Sequence, residues 1–316
     1  AASDVYKRQE PNEASGTRQP QAPTRAQPPS RVAEPPLPRT LSYSALAEYG
    51  RCGYRFYVER VLGIPPTSPA AARTAHSDSA VSATERGILV HELLEALDFR
   101  RPRRPEGAPS DVGDLIEGFI GSSLFARLAA ARELRREEGF SFLLGDALIT
   151  GVLDVVASES GDRTLIVDYK SDRLEGADPA AVVDRDYRIQ RLVYGLAGLR
   201  AGAATVEVVH VFLERPEDPV SATYGREEIE ALERELLGLA AGALKGEFTV
   251  THEPCIAVCS GCPAEGGLCS WPIEMTRRER PDPARPTPAP QADRQSSEAE
   301  ADHPPPEAEG RLFQVE

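Results

Sequence analysis

The 316-residue chain carries a formal net charge of −14, with 41% hydrophobic and 27% charged residues. This charge gives no general attraction for polyanions, so contact with one would depend on local arginine clusters, such as those at 100–104 and 132–136. No apolar run approaches the ~18 residues of a membrane-spanning helix, and no signal-peptide pattern opens the chain. We therefore expect a cytoplasmic protein without a membrane partner.

Composition divides the chain into three parts. Residues 1–39 are rich in Pro, Gln, Arg and Ser, and residues 279–316 are rich in Pro, Glu and Ala. Neither part can bury enough apolar surface to offset the entropy of ordering it. We predict a disordered linker over 1–39, one folded domain over 40–278 and a disordered acidic tail over 279–316. The first nine residues resemble translated sequencing-adaptor sequence, so we expect the natural chain to continue upstream.

The patterns within the domain predict helices and short strands in alternation. Ser42 or Ser44 is predicted to cap a helix that ends near Tyr49, and a capping box at 82–85 precedes an apolar helix over 87–99. An Arg/Pro-rich loop follows at 100–110, with helical patterns over 111–137. We predict strands at 140–144, 147–157, 164–169 and 205–213, and helices at 187–199 and 226–244. This order indicates a mixed α/β domain with a partly antiparallel sheet.

The most informative stretch is an apolar run ending in Asp168-Tyr169-Lys170, with Asp154 on the preceding predicted strand. Residues i and i+2 of a strand share a face, so Asp168 and Lys170 project the same way. A hairpin would bring Asp154 near them, although a one-residue register slip would send one acid to the opposite face. Two carboxylates can bind Mg²⁺, and a lysine can steady a phosphate or an attacking water. The pattern predicts metal-dependent phosphodiester hydrolysis.

Further candidates lie outside these two strands. His91, in the helix over 87–99, can add an imidazole ligand, and Glu137 lies just before the first predicted strand. Gln190 and Tyr194 are four residues apart on a helix, so they share a face and could orient Lys170 or touch the substrate. Taken singly, such residues are more often structural than catalytic. Their combination and order favour an active site.

This motif series resembles that of the PD-(D/E)XK nuclease superfamily, and in particular its RecB/AddB-type branch, over roughly residues 40–275. The resemblance implies a restriction-endonuclease-like α/β core with a mixed sheet flanked by helices. It implies that His91, Asp154, Asp168 and the Tyr169 carbonyl bind Mg²⁺ or Mn²⁺, while Lys170 positions the water or stabilises charge at phosphorus. The implied catalytic set is Asp154, Asp168, Lys170, Gln190, Tyr194 and Glu137. The motifs are Gly87-x-x-x-His91, Glu137-x-x-Phe140, Gly151-x-x-Asp154, Asp168-Tyr169-Lys170 and Gln190-x-x-x-Tyr194.

Four of the five cysteines crowd the end of the domain, and the fifth is Cys52. Closely spaced cysteines in a cytosolic protein favour metal binding over disulfides. Four thiolates suit Zn²⁺ or a [4Fe–4S] cluster, and spacing alone does not discriminate between them. The family resemblance implies a [4Fe–4S] cluster that joins the N- and C-terminal flanks, with zinc as the lesser alternative. Cys255 is surplus, either a spare thiol or an alternative ligand. The implied ligands are Cys52, Cys259, Cys262 and Cys269.

The sequence contains no Gly-x-x-x-x-Gly-Lys-Ser/Thr motif, so ATP hydrolysis would require another domain or subunit. The resemblance implies the C-terminal nuclease domain of a UvrD-like helicase, as in AddAB-type enzymes. Its expected activity is Mg²⁺-dependent DNA exonuclease action in double-strand break repair and recombination, with DNA and a helicase as partners. The alternatives are a stand-alone single-strand exonuclease, a catalytically silent DNA-binding scaffold and a zinc-stapled binding module.

Overall fold

A mixed sheet forms the centre of the protein. A computed structural model describes residues 37–67 and 83–279, and within them six strands follow the order β1-β3-β4-β5-β6, with β2 paired to β3. The β4–β5 pair is parallel and the β5–β6 pair is antiparallel. The predicted mixed α/β architecture is therefore confirmed. The strands are β1 (Thr40–Ser42), β2 (Glu133–Leu144), β3 (Ala147–Ser158), β4 (Arg163–Lys170), β5 (Thr205–Phe212) and β6 (Val220–Gly225).

The long strand β3 changes neighbours along its length. One edge pairs with antiparallel β2 from Leu144↔Ala147 to Glu133↔Ser158. The other edge pairs first with parallel β1 over 148–150 and then with antiparallel β4 over 155–158. Among the described strands, residues 151–154 lie between these two ladders. Asp154 therefore lies at the point where β1 and β4 separate.

Helices cover both faces of the sheet. One apolar core joins the sheet to α1, α7 and α8, and a second joins it to α3, α4 and α5. Within the described ranges, no helix is both long and apolar enough to span a membrane. Two five-residue π-helices, Tyr57–Val61 and Val183–Tyr187, interrupt the α-helical series. The helices are α1 (Tyr43–Arg51), α2 (Gly53–Phe56), α3 (Ala83–Ala96), α4 (Ser110–Ile120), α5 (Ser123–Ala129), α6 (Pro179–Val182), α7 (Arg188–Arg200), α8 (Ile229–Lys245), α9 (Ile256–Cys259) and α10 (Ile273–Thr276).

Most predicted elements are present, but one boundary is wrong. Ser42 caps α1, because its Oγ accepts a hydrogen bond from the Ala45 N–H at 3.1 Å. The predicted helix over 111–137 ends at Ala129, and residues from Glu133 onward form β2. Residues 133–137 are good helix formers in isolation, but pairing with β3 overrides that local preference. The segments 1–36 and 280–316, and the start of the capping box at Ser82, lie outside the described residues.

The two ends of the domain meet, while their joining by a cysteine-ligated cluster stays a prediction. Arg55 Nη1 donates hydrogen bonds to the carbonyl oxygens of Val258, at 2.7 Å, and Ser260, at 3.2 Å. The Tyr54 N–H donates to the Thr249 carbonyl at 2.9 Å. Val58 is buried in a small apolar cluster with Cys262. Segments about 200 residues apart in sequence therefore form one subdomain beside the sheet.

Candidate active site

The end of β4 holds a buried ion pair. Asp168 is 2% exposed and Lys170 is 9% exposed, and both face the same side of the strand, as predicted. Asp168 Oδ2 lies 2.7 Å from Lys170 Nζ, an ion-pair distance without the angular geometry of a hydrogen bond. Burial alone would lower the pKa of Lys170, but the Asp168 carboxylate outweighs it and raises that pKa. The lysine is therefore held as an ammonium.

Gln190, on α7, bridges both members of this pair. Its Oε1 accepts from Lys170 Nζ at 2.8 Å, and its Nε2 donates to Asp168 Oδ1 at 2.5 Å and to the Tyr194 hydroxyl at 2.9 Å. The Tyr194 hydroxyl donates in turn to the Val152 carbonyl at 2.9 Å. These contacts bear out the predicted i, i+4 partnership of Gln190 and Tyr194. Only one orientation of the amide satisfies an ammonium and a carboxylate at once, so the network fixes both charged groups.

If Asp168 ligates the cation as predicted, Gln190→Met should lower the rate of DNA cleavage about 10–100-fold, the usual cost of removing a group that orients a metal ligand. The methionine keeps the side-chain volume but leaves Asp168 and Lys170 without their common partner. Single-turnover cleavage of labelled DNA measures the effect. The matched control is Tyr194→Phe, which leaves the Gln190 bonds to Asp168 and Lys170 intact and should cost less than Gln190→Met. Equal losses in the two variants would contradict this role for the glutamine.

Asp154 joins the strands to the helix α3. Its Oδ2 accepts the Tyr169 backbone N–H at 2.9 Å and lies 3.6 Å from His91 Nδ1. Burial raises the pKa of Asp154 well above its usual range, and the nearby Asp168 carboxylate raises it further. The β3–β4 register, which continues to Val155↔Val167, explains the proximity of the two acids. The predicted hairpin therefore brings Asp154 and Asp168 to one site.

Among the described residues, one group of possible metal ligands has all its donor atoms within 4.8 Å of one another: His91, Glu137 and Asp154. Glu137 lies within β2, opposite Asp154, and has a left-handed φ of 46°. Burial raises the pKa of Glu137. An imidazole and two carboxylates fit a hard divalent cation such as Mn²⁺ or Mg²⁺. Asp168 lies outside this trio, and its oxygens contact Lys170 and Gln190. That Asp168 and the Tyr169 carbonyl bind the metal therefore stays a prediction.

We expect metal-free Asp154→Asn to unfold about 2–4 °C above the metal-free wild type at neutral pH, the shift that ~1 kcal/mol gives in a domain of this size. The raised pKa of Asp154 belongs to the folded state, so its contribution to stability is present at low pH and is lost as pH rises through that pKa. Asparagine stays neutral throughout. Calorimetry across pH tests this, and added Mn²⁺ should stabilise only the wild type. Identical melting temperatures at neutral pH would contradict it.

Close contacts explain why two of the motif positions are occupied by glycine. A Cβ at Gly151 would lie 2.6 Å from the Phe140 ring, and both residues belong to the predicted motifs. A Cβ at Gly87 would lie 3.3 Å from Ser171 Oγ, just after Lys170. The first contact leaves no room for a methyl group, and the second is tight. These glycines therefore let β2 and α3 approach the strands that carry the acids.

Two tyrosines at the site were not predicted. The Tyr187 ring centroid lies 4.0 Å from Lys170 Nζ, a cation–π contact, and the Tyr187 hydroxyl donates to Asp172 Oδ2 at 2.6 Å. Tyr43 packs edge-on against Tyr194, with ring centroids 5.6 Å apart. His210, fully buried, stacks on Tyr187, and burial lowers its pKa to about 4. A tyrosine at a helix boundary carries no sequence signal of such contacts.

The four predicted cluster ligands line one small cavity, together with Trp271: Cys52, Cys259, Cys262 and Cys269. Burial raises the pKa of the Cys259 and Cys262 thiols, and neighbouring cysteines raise it further. Among the thiols that the structure describes, no three lie within 4.8 Å of one another. A zinc tetrahedron with ~2.3 Å bonds places its sulfurs about 3.8 Å apart, so the thiols do not form a ready zinc site. Cys255 lies outside this cavity.

The structure is a mixed-sheet domain in which acidic side chains and a lysine lie together where β1 and β4 separate. The sequence profile of the PD-(D/E)XK nuclease superfamily matches residues 40–266. The chain belongs to the PD-(D/E)XK nuclease superfamily, as the motif resemblance predicted.

The chain is also similar to individual proteins. The chain is 28% identical over 170 residues to an ATP-dependent helicase/nuclease subunit of Desulforamulus reducens, and 22% identical over 166 residues to the subunit of the same name from Thermoanaerobacter sp.. Those matches cover 43% and 42% of this chain but only 13% of each relative. The chain thus spans a small part of these relatives' length. A solved protein from Eubacterium rectale, named as a candidate exonuclease, is 14% identical with a TM-score of 0.42, covering 74% of this chain and 91% of that one.

Proposed function

We propose that this domain hydrolyses DNA phosphodiester bonds with a divalent cation, as an exonuclease. The observation that carries the proposal is the buried Asp168–Lys170 pair, 2.7 Å apart, beside Asp154 and His91. An ion pair with a purely structural role would not require two further potential metal ligands, Asp154 and His91, beside it. A cavity of about 450 Å³ lies beside the candidate metal ligands and is lined by His91, Glu137 and residues of α3.

The residues have separate roles in this proposal. His91, Glu137 and Asp154 would hold Mn²⁺ or Mg²⁺, with Asp168 added when its carboxylate turns toward the cation. When bound, the cation would polarise the phosphoryl oxygen and lower the pKa of a water. Lys170 donates hydrogen bonds to the attacking water or to a phosphate oxygen, and Gln190 keeps its ammonium in place. A bound cation would favour the ionised form of Asp154, whose pKa is raised by burial and by the neighbouring Asp168 carboxylate.

We further propose that the four cysteines hold a [4Fe–4S] cluster. In support, all four line one cavity between the two flanks, and their sulfurs are spread more widely than a zinc tetrahedron requires. Buried thiols with raised pKa values would lose their protons on binding the iron, so assembly would release protons. Zinc is the alternative occupant, and iron and sulfide analysis of protein purified without oxygen distinguishes the two.

A helicase partner is proposed from the relatives, which carry helicase and nuclease in their name. The proposed role in double-strand break repair rests on the motif resemblance alone. The P-loop that ATP-driven unwinding needs does not occur in this sequence. Unwinding would therefore belong to another domain or another polypeptide, which would deliver single strands to the nuclease site.

The decisive experiment compares linear and circular single-stranded DNA in the presence of Mg²⁺ or Mn²⁺. An exonuclease degrades the end-labelled linear strand and leaves the circle intact, and chelation of the cation stops it. Asp154→Ala should be inactive on both substrates. Cutting of the circle would show an endonuclease instead. DNA binding without cleavage, under every cation tried, would favour the catalytically silent scaffold.

A further inference from the structure

A groove of about 630 Å³ lies between α1, the π-helix Val183–Tyr187 and the loop over 249–255. Its charged lining comprises two arginines, Arg51 and Arg185, against one acid, Glu253. Such a cationic surplus is unusual in a chain with a net charge of −14. The exposed Arg185 also pairs with its half-buried neighbour Asp186, a contact of the kind that contributes little and rearranges readily.

Two elements connect this groove to the catalytic residues. The helix α1 begins at Tyr43, which packs on Tyr194, and reaches the groove at its other end, where Arg51 lies. The π-helix carries Arg185 in the groove and ends at Tyr187, whose ring covers Lys170 Nζ. Each of these elements therefore has one residue at the active centre and another in the groove.

Gly50 gives a second, independent indication. It lies exposed near the end of α1, and a Cβ built there would meet nothing within 4 Å. Alanine is a far better helix former than glycine, and nothing in the described protein excludes its methyl group. Bare backbone at the wall of a groove allows a ligand to approach closely. The absence of a side chain at Gly50 is therefore better explained by the approach of an external ligand than by packing within the protein.

We propose that this groove binds the sugar–phosphate backbone of single-stranded DNA whose end lies in the active centre. The inference rests on the proposed function and adds the path of the strand. The distance from Tyr43 to Arg51 along α1 is about 12 Å, at ~1.5 Å per residue. That distance corresponds to about four nucleotides at a rise of ~3.4 Å. Strands longer than four nucleotides therefore gain contacts that shorter ones lack.

The test measures binding of labelled oligodeoxythymidine strands of four and twelve nucleotides to the full chain, in Ca²⁺, as a function of salt. For the twelve-nucleotide strand, Arg51→Gln/Arg185→Gln should weaken binding and lower the salt slope by about 1.4, or ~0.7 for each lost phosphate contact. The four-nucleotide strand should respond much less. The matched control is Arg163→Gln/Arg234→Gln, which removes two exposed arginines outside the groove. This control pair should leave the slope unchanged.

Substitutions of Gly50 test whether the shape of the groove affects DNA binding independently of its charge. Gly50→Gln should raise the Kd of the long strand severalfold without changing the salt slope, while Gly50→Ala, which favours the helix, should not lower the melting temperature. Groove variants that bind the long strand like the control pair would overturn the groove assignment, even if the wild type cleaves DNA. A wild type that neither binds nor cleaves DNA would overturn both this inference and the proposed function.

Discussion

Asp168→Asn is expected to reduce DNA cleavage by at least about 10³-fold, since it removes a charge that orients Lys170 and faces the metal site. The substitution keeps the shape of the side chain and a hydrogen-bond acceptor for Gln190. It leaves the Lys170 ammonium buried without its counter-ion, and burial then lowers the pKa of that lysine. Breaking one side of a buried ion pair commonly costs about 3–5 kcal/mol of stability.

A double-substitution cycle separates catalysis from folding. Asp168→Asn/Lys170→Met should be more stable than Asp168→Asn alone, because no unpaired charge remains, yet equally inactive. Cleavage rates and urea unfolding of the wild type, both single variants and the double variant give the two readouts. Asp146→Asn, in the exposed turn between β2 and β3, is the matched control. Cleavage by Asp168→Asn at a rate near that of the wild type would remove the carboxylate from the mechanism.

Cys262→Ser is expected to abolish the visible absorption of an iron–sulfur protein and to lower the melting temperature by roughly 10 °C. The proposed cluster closes a loop of about 200 residues between Cys52 and the final cysteines. A cross-link of that length stabilises a fold by about 5 kcal/mol, mainly by restricting the unfolded chain. In a domain of this size, each kcal/mol is worth about 2–4 °C.

Cys255→Ser provides the matched control, since Cys255 is also buried but lies outside the cavity of the four thiols. It should retain both the colour and the melting temperature of the wild type. Absorption spectra and calorimetry of anaerobically purified protein report the two properties. If the wild type is colourless and Cys262→Ser is as stable as the wild type, the cluster proposal is wrong. Loss of colour in Cys255→Ser would make Cys255 a ligand.

The sequence predicted what short-range patterns encode. Strand alternation predicted the shared face of Asp168 and Lys170, and helical spacing predicted the contact between Gln190 and Tyr194. The strand β1 escaped prediction because its three residues are defined only by pairing with β3. The grouping of Glu137 with His91 depends on the β2–β3 register and on a left-handed backbone, neither of which has a local signature. Long-range contacts such as that of Tyr187 with Lys170 were likewise invisible.

The meeting of the two flanks has a consequence for synthesis on the ribosome. Arg55 bonds to Val258, a partner 203 positions later in the chain. At ~5–20 residues per second, the segment that contains Cys52 waits roughly 10–40 s for its partner segment to emerge. During that interval its aromatic side chains lack the packing partners that the later segment provides. We therefore expect nascent chains arrested before residue 250 to recruit chaperones, and completed chains to release them.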